Sequence, residues 1–439
     1  MRRAALAPGL VLGAALAFVA GCDTGRAGAP PASPPASATP RPNDFDLERR
    51  NLDEAIARGR SLSASRPEDG LLPLEIVSLH LERARLTGDY ADFGQARDAL
   101  QARPPSAGTR AAHCLLEARL DYTLHRLKAA GARLATCPPG NDPAEVAGLA
   151  ADLAMHAGRY RDAEATYRAL VNRVGTPTQF VRLALLRGRT GSPAEAAALL
   201  EAAERRYHGT SATMKAWLRL QRGLVALDRG RFDEALALYR QASDELPGWW
   251  LVDEHIAEVL ALTGDKAAAR ALYGRVVERT GAPEFLDALA ALEEEGGDKA
   301  SAARRRGEAR ALYEKRLADY PEAAAGHALD HFLADSAEAP RALALARANH
   351  AARPFGEASI ALAKAWLHAG QPANAKALLE GELAKGWDTP ELHWVLAAAL
   401  DKLGRKTPAL ASRAEARAQS GRRTTLRRTL RGRARGESL

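Results

Sequence analysis

Glycine recurs along this chain at a spacing that admits one kind of architecture. Gly158, Gly191, Gly230, Gly264, Gly297, Gly370 and Gly404 are separated by 33, 39, 34, 33, 73 and 34 residues. The gap of 73 holds one more unit, whose turn near Asp335 has lost its glycine. Gly88 lies 70 residues before Gly158, so a second altered unit sits near His125. A period near 34 demands stacked helical hairpins, because one hairpin cannot bury its own apolar face and shares it with the next. Glycine at the end of the first helix supplies the left-handed residue that turns the chain back.

The packing positions repeat with the turns. Five residues after the seven glycines stand Ala163, Ala196, Ala235, Ala269, Ala302, Ala375 and Ala409. Seven residues before them stand Ala151, Ala184, Gly223, Ala257, Ala290, Ala363 and Ala397. Small side chains at both places let the two helices of a hairpin cross closely. Four residues beyond the alanines that follow the turns come Tyr167, Leu200, Tyr239, Tyr273 and Leu379, bulky knobs for the next groove. Aromatic residues make up only 5% of the chain, and strand-forming residues are sparse, so an all-α fold is expected.

The unit Ala216 to Pro247, with Gly223, Gly230, Phe232, Ala235, Tyr239 and Ala242, resembles the tetratricopeptide repeat. The resemblance covers about residues 48–420. It implies a right-handed superhelical solenoid of about ten TPR-like hairpins with a concave groove. Departures stand beside it. Phe93 occupies the alanine position after Gly88, with Ala96 three residues late. Arg304, Arg305 and Arg306 crowd the second helix of the Gly297 unit, which is expected to run on to Tyr320 before Pro321 stops it.

The N-terminus carries an export signal. Arg2 and Arg3 precede an apolar run from Ala4 to Ala20, which ends in Val19-Ala20-Gly21-Cys22. The last four residues resemble the bacterial lipobox, which implies cleavage before Cys22 and acylation of its thiol. Residues 1–21 are then a lipoprotein signal peptide, and 22–45 are the lipidated cysteine and its tether. Six prolines in 24–42 favour an extended chain, about 3.1 Å per residue and so roughly 60 Å long. Residues 46–420 form the solenoid and 421–439 an arginine-rich flexible tail. The expected location is a bacterial cell envelope, facing the periplasm, with inner or outer membrane left open. In that oxidising setting Cys114 and Cys137, near opposite ends of one antiparallel hairpin, are expected to form a disulfide.

The net charge of +8 is local. Arg2 and Arg3 contribute two charges, and the tail, with seven arginines and Glu437, contributes six. The neutral remainder argues against a nucleic-acid partner. The tail suits anionic lipid or an acidic polymer. Motifs for nucleophilic, phosphate-binding or metalloprotease chemistry are missing, so no enzyme activity and no cofactor are expected. His327 and His331 stand four apart, but no third ligand beyond Asp330 accompanies them, and buried hairpin histidines are the simpler reading. Glu293, Glu294 and Glu295 read as a solvated face, and Trp249-Trp250 as packing between units.

By analogy with the repeat family, the groove is lined by Val181, Leu185 and Arg189; Trp217, Leu220 and Leu224; Glu254 and Glu258; Asp287 and Glu294; Trp394 and Lys402. Its acidic middle suits a protein or peptide partner with basic character. The expected function is a lipid-anchored scaffold or adaptor that binds proteins through this groove. The alternatives are a component of an exopolysaccharide or protein export or assembly machine that handles polymer, and an unrecognised enzyme.

Overall fold

The computed structural model describes residues 44–413 and 415. Cys22, the tether and the arginine-rich tail lie outside the described residues. Helix α1 (Phe45–Ser65) comes first, and hairpins follow. They are α2 (Leu71–Thr87) with α3 (Ala91–Gln101), α4 (Arg110–Thr123) with α5 (Leu127–Thr136), and α6 (Pro143–His156) with α7 (Tyr160–Arg173). Next come α8 (Pro177–Arg189) with α9 (Pro193–Arg206), α10 (Ala212–Asp228) with α11 (Phe232–Glu245), and α12 (Trp250–Thr263) with α13 (Lys266–Thr280). Then come α14 (Pro283–Glu295) with α15 (Lys299–Asp319), α16 (Pro321–Leu333) with α17 (Ala339–Ala352), and α18 (Gly356–His368) with α19 (Pro372–Lys385). Helix α20 (Pro390–Lys402) pairs with a helical stretch over 406–413. Among the described residues this is an all-α solenoid of ten hairpins. No described helix is long and apolar enough to cross a membrane.

Local chemistry sets the helix ends. Asp44, Ser211, Asp265, Asp298 and Thr389 each accept a hydrogen bond from a backbone N–H of the turn they precede. Proline opens α6, α8, α9, α14, α16, α19 and α20, where its missing N–H costs nothing. The repeat glycines have positive φ. In the second hairpin His125 takes that place, at φ 62°. In the eighth, a short 3-10 helix, Ser336–Glu338, capped by Asp335, replaces the glycine turn. Helix α15 runs to Asp319, and Pro321 starts the next helix.

The crossing positions are sealed. All seven alanines five residues beyond the turns are fully buried, and the seven small residues before the turns are buried as well. A Cβ at Gly223 would lie 2.3 Å from the ring of Tyr239, so only glycine lets that knob seat.

The coil closes on itself. His125 in the second turn donates through Nδ1 to the Glu322 carbonyl, 3.3 Å away between the seventh and eighth hairpins. The third turn follows: a Cβ at Gly158 would lie 2.7 Å from the Pro354 carbonyl, and Tyr160 donates to Glu382 at 2.7 Å. In the fourth, Asp388 N donates to Arg189 O at 2.8 Å. The second to fourth hairpins thus meet the seventh to tenth, one superhelical turn further on. Near the start, Trp249 and Trp250 both donate to the Leu86 carbonyl, at 3.1 and 2.9 Å. This tandem pair is packing.

Candidate functional site

Close winding changes the status of the expected groove. Trp217 is only 1% exposed, Trp394 7%, Glu254 7% and Glu258 8%. Val181, Leu185 and Leu220 are buried too, and Leu224 is half-buried. These residues are interior, where an open groove was expected, because the first helices of the hairpins are covered nearly all round. Arg189 is buried as well, and its Nε donates to Glu357 Oε1 at 2.8 Å. Only Lys402, at the last hairpin, is exposed.

The contiguous acidic strip is likewise broken up by local pairing. Asp287 accepts from His331 Nδ1 at 2.9 Å. Burial pushes the Asp287 carboxyl up from its ordinary range, and the His331 bond opposes the rise. Glu294 pairs with Arg306 at 2.6 Å and Glu293 with Arg305 at 2.7 Å. The crowded arginines of α15 therefore answer the acids at the end of α14. His327 and His331 do not converge on a metal: His331 faces Asp287, while His327 stacks on His125 with ring centroids 6.4 Å apart.

What remains of the acidic middle is one turn of α12. His255 Nδ1 lies 3.4 Å from Glu254 Oε2 and 3.6 Å from Glu258 Oε2. One ligand atom from each of the three lies within 4.8 Å of the others. The His255 ring stacks on Tyr239, with centroids 5.4 Å apart. Two carboxylates and an imidazole suit a divalent transition metal or the cationic end of a lysine or arginine. The sequence reading found both glutamates and passed over His255. The Glu-His-x-x-Glu spacing, which puts all three on adjoining helix positions, was the available signal.

A second polar cluster lies where successive coils meet. Arg353 Nη1 donates to His125 Nε2 at 3.0 Å, and its Nη2 donates to Asn349 Oδ1 at 3.0 Å. Burial holds His125 well below the ordinary histidine range, with Arg353 adding to the effect. Burial brings His156 to about 3 and His327 to about 4. These groups were not singled out as a site. The signal was His125 itself, standing where other turns carry glycine.

Cys114 on α4 and Cys137 after α5 are bonded in the structure, with Cα atoms 5.6 Å apart and 23 residues between them in sequence. The bond ties the two ends of the second hairpin, the one whose turn carries His125.

No family model matches the chain, and a search of curated proteins finds no significant match. Among solved structures, the crystal structure of MamA is similar at 15% identity and TM-score 0.32, covering 38% of this chain and 96% of that one. A tetratricopeptide repeat protein from Parabacteroides merdae is similar at 13% identity and TM-score 0.31, covering 67% of this chain and 99% of its own. At those scores the likeness carries no functional argument, and the fold rests on the hairpins described above.

Proposed function

We propose that this chain is a lipid-anchored scaffold of a bacterial envelope that binds protein partners. The observation that carries the reading is the architecture: ten hairpins stack without interruption, an arrangement that offers extended surface for recognition. The Cys22 sequence supports the anchor and an envelope location. The favoured partner is a polypeptide that docks on the outer surface of the coil, because the inward residues expected to line a groove, Glu254 and Glu258 among them, are buried.

Two measurements test this. Cys22→Ser is expected to move the protein from the membrane to the soluble fraction, or to leave an uncleaved precursor. A variant that fractionates and migrates like the parent removes the anchor from the proposal. Crosslinking in intact cells identifies a captured polypeptide, which is then purified and titrated against the full chain. The isosteric pair Glu254→Gln and Glu258→Gln should leave that affinity within about twofold, since both carboxylates are interior. A loss of about tenfold with helicity unchanged would mean that the coil opens to admit the partner.

A further inference from the structure

We propose that the His125–Arg353 contact is an acid-sensitive latch between successive coils, closed by the neutral imidazole and opened by its protonation.

The donor arrangement leaves one choice of tautomer. A guanidinium only donates, so His125 Nε2, 3.0 Å from Arg353 Nη1, must be an acceptor. The proton is then on Nδ1, which donates to the Glu322 carbonyl at 3.3 Å. Both bonds cross from the second hairpin to the junctions on either side of the eighth, 197 and 228 residues away in sequence. Adding a proton at Nε2 turns an attraction into an N–H facing an N–H, with two like charges in a buried place. No rotation of the ring on the spot repairs this, because the imidazolium has lost its acceptor.

The backbone gives an independent reason to regard this histidine as selected for its side chain. Among the described residues His125 is the one non-glycine with positive φ. A histidine there carries strain that glycine would not. The imidazole's two inter-coil bonds offset it.

The surroundings are cationic or neutral on most sides. His327 of α16 stacks against the His125 ring, and His156 of α6 lies on the side of Arg353 and Phe355, with its ring 4.8 Å from Phe355. Tyr122 of α4 hydrogen-bonds His156 Nδ1 at 3.3 Å. Negative groups stand further out. Glu284 of α14 lies 4.0 Å from His327 but is held by Arg316 of α15 at 2.8 Å. Glu322 pairs with Arg126 at 3.5 Å. Glu357 of α18, the acidic group nearest in effect to Arg353, is bonded to Arg189.

The sign follows. Histidines depressed in the closed coil return toward 6.5 when the contact opens, so the open form binds more protons and acid favours it. Closure is fully present above about pH 6.5 and is lost as pH falls toward the depressed values. For His327 alone, at about 4 when closed, the closed–open balance moves roughly 30-fold toward open between pH 7.5 and pH 5. His125 and His156 act in the same direction.

Hydrogen exchange on the full mature chain at pH 7.5 and pH 5.0, corrected for intrinsic exchange rates, tests the latch. Segments 120–127 and 350–357 should exchange at least tenfold faster in acid, while α13, which carries none of the latch residues, should not change. In His125→Asn with His156→Gln and His327→Gln the acid response should shrink to threefold or less, since asparagine tolerates the left-handed backbone and none of the replacements protonates. Equal protection of the wild-type segments at both pH values overturns the proposal. So does a full acid response in the triple variant. If that variant does not fold, the wild-type profile decides: local opening with α13 protected supports the latch, and uniform loss across the chain sinks it.

Discussion

Asp152→Ala is expected to destabilise the coil by about 3–5 kcal/mol, the usual result of breaking a buried ion pair by removing one partner. Asp152 is fully buried on α6. It accepts from Arg182 Nε at 3.1 and 3.2 Å and from the Tyr167 hydroxyl at 2.7 Å. Burial alone would pull the Arg182 guanidinium down, but the Asp152 carboxylate holds it above its ordinary value. With the carboxylate gone, a charged guanidinium is left inside, and the tyrosine loses its acceptor. The neighbourhood has no slack to take up the change. A Cβ at Gly148 would lie only 2.6 Å from Arg182 Nη1, so glycine on α6 already makes room for the guanidinium. Asp152→Ala combined with Arg182→Met should recover more than half of the loss, because the uncompensated charge leaves with the arginine. Urea denaturation followed by circular dichroism measures both variants. A loss below about 1 kcal/mol for Asp152→Ala would mean that water reaches this pair.

This triad also shows what could be read in advance. Tyr167 was placed as a knob by the repeat, and it is one, fully buried. The crossing alanines were legible for the same reason: backbone approach acts on single residues at one fixed spacing, so the demand repeats in the sequence. Asp152 and Arg182 repeat nowhere. They satisfy each other between adjacent hairpins, and nothing in a period of 34 marks a pair that occurs once. The groove failed for a different reason. Trp217, Glu254 and Trp394 were assigned inward by their place in the hairpin, and inward they are. Whether inward means open depends on how tightly the coil is wound. That is set by contacts such as His125 with Glu322 and Arg189 with Asp388, about 197 residues apart in sequence. Pairings at that separation leave no local trace. Asp287 and Glu294 looked like a free strip only until His331 and Arg306, on the neighbouring helices, were seen to answer them.

Closure of the coil makes the second large effect unusual in where it is felt. Trp387→Ala is expected to cost about 3–5 kcal/mol, as for a large aromatic side chain removed from a packed core. Trp387 is fully buried between the last two hairpins. Its ring lies 5.2 Å from that of Tyr160 and 5.7 Å from that of Phe355, centroid to centroid. A Cβ at Gly356 would fall 2.1 Å from the indole, so the ring is seated against bare backbone. In an open solenoid each repeat touches only its neighbours, and the damage would stay in the ninth and tenth hairpins. Here Tyr160 belongs to the third hairpin, and Tyr160 also donates to the fully buried Glu382. Removing the indole should therefore loosen the third turn as well. Hydrogen exchange at residues 154–160 should rise at least tenfold in Trp387→Ala, beside the expected rise around 352–358 and 383–390. Trp387→Phe keeps an aromatic face toward Tyr160 and should cost less at both places. A variant destabilised near 387 but with unchanged exchange at 154–160 would mean that the coils touch without supporting each other. Coupled loss at both places means that the closed superhelix, rather than the single hairpin, is the unit that unfolds.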